Sequence, residues 1–189
     1  MSSGLRGLIL FSCAAILPAQ APQQSAGGLE NPWDIADVLT GIALHAGKMT
    51  PLLDQIDTKP WLQKGVPVAY LSQLESSKDQ ARSLAETAKA VAKHPEQLSA
   101  TIEIYFRIQG LETSTNSVAE AMRRYQGPEA AQSLVAVVAQ NGENRDRLQR
   151  YIVNLAAERE RDLQIMDREA QRCRGMIAEP PPARSGKKK

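Results

Sequence analysis

From Ile35 to Ala170 the apolar residues of this chain recur at steps of three and four. That spacing places them along one stripe of an α-helix, whereas a half-buried strand needs a step of two. Sustained along most of 189 residues, it leaves little room for a sheet. The expected fold is therefore all-α: an antiparallel bundle of about four long helices, the last one longest and overhanging its neighbours. One stretch dissents. Ile102, Ile104, Phe106 and Ile108 alternate with Glu103 and Arg107 as a strand would, but no other segment offers a strand to pair with, so helix is expected there too.

The punctuation between stripes fits the same reading. Asn31-Pro32 supplies a capping side chain and a proline at the first helical position, with Asp34 in the first turn. The stripe that follows is assigned Trp33, Ile35, Val38, Leu39, Ile42, Ala46, Met49, Leu53 and Ile56. Pro51 falls inside it and is expected to kink or restart the helix, with Thr50 as a local cap. Gly41 and Gly47 weaken the same helix by about 1 kcal/mol each relative to alanine. Pro60, Gly65 and Pro67 mark a connector in which Trp61 and Leu62 are expected to dock one helical turn on the core. A second helix is expected over residues 68–93, and a third through Leu98, Ile102, Tyr105, Phe106, Ile108, Leu111, Val118 and Met122 to Tyr125. Pro95-Glu96 and Pro128-Glu129 repeat the proline-plus-acid helix start, favourable where the first amides lack acceptors and the helix dipole is positive.

The last helical segment is expected to run unbroken over residues 129–174, through Asn141-Gly142, because the stripe of Leu134, Val135, Val138, Leu148, Tyr151, Ile152, Leu155, Leu163, Met166 and Ala170 resumes in phase. A turn at Asn141-Gly142 is the alternative. Unbroken, it would reach about 69 Å, longer than its partners. Residues 143–174 carry eight arginines and seven acids. Such balance suits either a solvated face or an arm that docks a partner. On the second reading the contact residues are Arg159, Arg161, Arg168, Arg172 and Arg174. Cys173 lies between two of these arginines, and as an odd cysteine it is a candidate for an intermolecular disulfide.

The two ends read differently from the body. Residues 1–21 have Arg6 as their only charge, an apolar run from Gly7 to Leu17, and Ala19-Gln20-Ala21 at the end, the pattern of a secretory signal peptide. The run is too short to span a bilayer, which takes about 20 residues, so no membrane span is expected in the mature form. Lipoprotein anchoring at Cys13 is not favoured: Phe11 fits that pattern poorly and the apolar run continues past the cysteine. Residues 22–30 read as a flexible segment, residues 31–175 as the helical domain, and residues 176–189 as a disordered Pro/Lys tail ending in Lys187-Lys188-Lys189. The expected location is a bacterial periplasm or the outside of the cell, where one remaining cysteine cannot form an internal disulfide. With 23 basic and 21 acidic side chains, the chain gives no electrostatic reason to expect a nucleic-acid partner.

Chemistry-bearing constellations are sparse. The only histidines are His45 and His94, and neither completes the Glu-x-x-His of a di-iron bundle, since Ile42 and Val91 stand where the glutamate would. There is no C-x-x-C-H, no clustered zinc ligands, no P-loop and no G-x-S-x-G. A haem held by Met49 or Met166 with His45 or His94 is disfavoured because those methionines sit at core spacing. No cofactor and no enzymatic activity are expected. Small exported helical chaperones of the Spy type carry Leu-Thr-x-x-Gln repeats. Here Leu39-Thr40 is followed by Gly41, Ile42 and Ala43, so the likeness is one of architecture, which does not carry function. The leading expectation is an exported binding or scaffolding module for another protein of the cell envelope or for itself as a homodimer. A holdase-like chaperone is the first alternative and a cofactor-binding bundle the second.

Overall fold

The computed structural model describes residues 29–178, and among these there is helix, turn and loop but no strand. The fold is all-α. Its elements are α1 (Pro32–Asp54), a short α2 (Lys59–Gln63), α3 (Val68–Val91), α4 (Leu98–Tyr125), a 3-10 turn (Pro128–Ala131), α5 (Gln132–Ala139) and α6 (Gly142–Ala178). The readings placed on residues 1–21, 22–28 and 179–189 lie outside the described residues.

Local chemistry explains most boundaries. The Asn31 side chain accepts from the Trp33 amide at 3.1 Å, closing the first turn of α1 as its sequence predicts. At the end of α2, the Val66 amide reaches back to the Trp61 carbonyl at 3.0 Å and the Gly65 amide to Leu62 at 3.2 Å. This is a Schellman cap, and it needs Gly65, whose φ of +69° an L side chain rarely adopts. α4 ends differently: the Gln126 and Gly127 amides both reach the Met122 carbonyl, at 2.8 and 3.1 Å, and Gly127 takes a φ of +122°. Pro95-Glu96 does not start a helix as expected. Both residues lie in the turn between α3 and α4, and α4 begins at Leu98.

α3 packs against α1 on one side and α4 on the other, while α5 and the first half of α6 each touch both α1 and α4. One core results. Ile35, Leu39, Ile42, Met49 and Leu53 enter it from α1, Leu74 and Leu84 from α3, Ile104 and Ile108 from α4, and Leu148, Tyr151 and Leu155 from α6. Trp61 is fully buried and anchors the α1–α3 connector. Its neighbour Leu62 faces solvent, so only half of the expected docking pair docks. Gly41 has a packing reason: a Cβ there would lie 3.2 Å from the Asn144 amide of α6, so its absence lets the two helices approach.

Several expectations are corrected. Trp33 is 79% exposed. It lies two residues before Ile35, about 200° around the helix, so it belongs to the opposite face rather than the core stripe. Pro51 does not restart α1; the helix continues to Asp54, and Thr50 bonds back to the Ala46 carbonyl at 3.3 Å instead of capping. The last segment is not one continuous helix. A turn at Gln140-Asn141 separates α5 from α6, and Asn141 itself is buried. Leu29 packs against the core and Glu30 pairs with Arg147 at 2.7 Å, so neither belongs to a flexible segment. Helix α6 persists to Ala178, past the expected domain end at residue 175.

Candidate functional site

Two surfaces stand out once the core is assigned. The first is the far half of α6. Its near half is tied down by Arg145 to Glu112 at 2.8 Å and Arg147 to Glu30 at 2.7 Å. The Glu112 hydrogen bond, reinforced by Asp146, raises the Arg145 pKa above its ordinary value. The Tyr151 hydroxyl donates to the Pro95 carbonyl at 3.2 Å, and burial, with help from Glu96 and Glu158, raises its pKa too. Leu155 is the last residue of α6 to be buried. From Arg159 to Met176 every residue is exposed, although the helix is unbroken.

All five arginines expected to make contact lie in that exposed stretch, together with Cys173, whose thiol is free and exposed. Arg159 approaches Asp162 at 3.9 Å, and Arg172 pairs with Glu169 at 3.0 Å. Arg161 and Arg168 donate Nε to the carbonyls of Ala157 at 3.1 Å and Gln164 at 3.3 Å. These are contacts within one helix and hold nothing in the bundle. Arg174 makes no ion pair among the described residues. The apolar stripe continues along the same stretch. Leu163 is 64% exposed and Met166 66%, which overturns the assignment of Met166 to the core.

The second surface was missed from sequence as a site, yet it caused the alternation noted above. Ile104 and Ile108 point into the core, while Phe106, on the far side of α4, is 63% exposed. With Ser99, Ile102, Glu103, Arg107 and Gly110 of α4, and Gln80 of α3, it lines an open groove of 580 Å³. Two apolar faces on one helix produce a period of two in a window this short. The guanidinium of Arg107 closes one flank, bonded to Glu103 at 2.6 Å and to the Ser83 hydroxyl at 2.9 Å.

The histidines do not converge. His45 is buried, and its Nε2–H donates to the Val137 carbonyl at 2.6 Å, which ties α1 to α5. His94 is exposed between α3 and α4, 3.3 Å from Glu96. Among the described residues no three His, Cys, Asp or Glu side chains gather as metal ligands, and no helix is long and apolar enough to cross a membrane. No protein-family model, no curated protein and no solved structure matches this chain.

Proposed function

We propose that this protein is an exported helical-bundle module that acts by contact rather than catalysis. In this reading α1, α3, α4 and α6 run antiparallel, α6 overhangs the other three as an arm, and the arm holds another envelope protein or a second copy of the chain. One observation carries the reading: the unbroken exposed stretch from Arg159 to Met176, which keeps an apolar stripe where its own bundle provides nothing to cover it. Most helical stability in water comes from packing an amphipathic face, so an arm with leucine and methionine on that face suits a partner that supplies the packing. The five arginines and the acids between them would then set its register. Export rests on the leader composition of residues 1–21.

The test is in-cell photo-crosslinking from residues 162 and 169, which are exposed and flank the Leu163 and Met166 stripe. Protein adducts from these positions, and none from an exposed control such as Glu86, support the reading; absence of arm-specific adducts refutes it.

The open groove beside Phe106 favours a second reading, a holdase that shelters apolar segments of unfolded chains. It predicts stoichiometric suppression of a client's aggregation that Phe106→Ser abolishes and Leu163→Ser does not.

A further inference from the structure

We propose that the exposed half of α6 pairs in antiparallel fashion with the same segment of a second copy of this chain. The proposal rests on the reading of that segment as a contact arm, and it names the partner. Leu163, Met166, Ala170 and Cys173 are spaced three, four and three residues apart, the seam of a two-stranded coiled coil. They continue the stripe that Leu148 and Leu155 bury in the bundle, but with no cover.

Side-chain size selects the direction. Antiparallel pairing sets Leu163 against Cys173 of the second copy and Met166 against its Ala170. Each of the four layers then combines one large and one small side chain, so the helices can approach evenly. Parallel pairing would stack leucine on leucine and methionine on methionine, then leave alanine facing alanine in a gap.

Charge agrees with this register. Along one flank of the seam lie Glu160, Asp167 and Arg174, none of which forms an ion pair within the described residues. Antiparallel pairing brings Glu160 to Arg174 of the second copy twice, by symmetry. It also brings Asp167 near its own counterpart once. On the other flank Glu169 meets Glu169, each already neutralised by its Arg172 at 3.0 Å. The parallel arrangement sets Asp162 against Asp167 twice, which cancels its two Glu169–Arg174 pairs, so side-chain size rather than charge decides against it; the antiparallel register displaced by one heptad toward the N-terminus sets Glu160 against Asp167. With two large apolar residues per chain the association is weak, so it should appear only at high micromolar concentrations.

Sedimentation of the full chain from about 10 to 300 μM tests the pairing. Reversible dimerisation is expected, lost in Leu163→Glu, whose side chain is exposed in the monomer and whose replacement leaves the bundle intact. Glu160→Arg and Arg174→Glu should each weaken the dimer about threefold or more, and the double exchange should restore it. Under mild oxidation Leu163→Cys should link to native Cys173, while the unaltered chain should give no Cys173–Cys173 disulfide. A dimer indifferent to Glu160→Arg, or one linked through Cys173 to Cys173, is parallel and overturns the proposal. A monomer at every concentration overturns it as well, yet leaves the contact arm standing if crosslinking in cells still captures a different protein.

Discussion

Leu155 and Leu163 lie on the same stripe of the same helix, eight residues apart, and their truncation to alanine should have opposite consequences. Leu155 is 1% exposed and Leu163 64%. Leu155→Ala removes a packed side chain from the layer it shares with the bundle core and leaves a cavity behind, a loss of about 2–5 kcal/mol. Leu163→Ala removes a side chain that touches little in the monomer, and alanine is at least as good a helix former, so its cost should stay within about 0.5 kcal/mol. For a domain of this size each kcal/mol moves the midpoint by about 2–4 °C. Leu155→Ala should therefore melt about 4–20 °C below the parent chain and Leu163→Ala within about 2 °C of it. The assay is thermal or urea unfolding followed by circular dichroism at about 1 μM, where the weak dimer proposed above is dissociated. Comparable losses in both variants would mean that the bundle covers α6 well past Leu155, and the reasoning about the arm would fail.

Other consequences can be checked separately. Because burial raises the Tyr151 pKa, the folded state holds that proton above the pH at which the unfolded chain releases it, so stability should fall as pH rises past about 10, less steeply in Tyr151→Phe. In neutral solution the same variant should lose about 1 kcal/mol with the bond to the Pro95 carbonyl, read from urea midpoints. His45→Leu should cost about 1–3 kcal/mol by removing the buried donor that joins α1 to the Val137 carbonyl. Within residues 29–178, limited trypsin treatment should cut first after Arg159, Arg161, Arg168, Arg172 or Arg174 and spare Arg145 and Arg147, which are paired to Glu112 and Glu30; early cleavage at the latter pair would contradict the anchoring described.

Helical phase was readable because nearly every turn of α1, α3 and α4 carries a core residue. The turn at Gln140-Asn141 was not, for a physical reason. It interrupts the helix without removing the stripe from the core, since Leu134 and Leu148 join the same core on either side of it. Asn141 is moreover buried, where composition suggests an exposed turn. Trp33 is a large apolar side chain whose angle around α1 the core stripe does not share, so its size is no guide to its burial. In α4, two apolar faces looked like a strand, and separating Phe106 from Ile104 and Ile108 required knowing which face α3 covers. The exposed half of α6 stands out in the sequence as a run of balanced charge with a thinning stripe. Where burial ends along it does not, since Leu155 and Leu163 are the same residue type in the same phase, and only packing distinguishes them.

Amide hydrogen exchange resolved to short peptides of α6, recorded at about 1 μM, tests most directly how far the bundle covers that helix. Residues 142–158 should exchange as slowly as the α1 and α4 core, and residues 160–176 should exchange orders of magnitude faster. Uniformly slow exchange to residue 176 at that dilution would show that the bundle holds the whole of α6, contradicting the account.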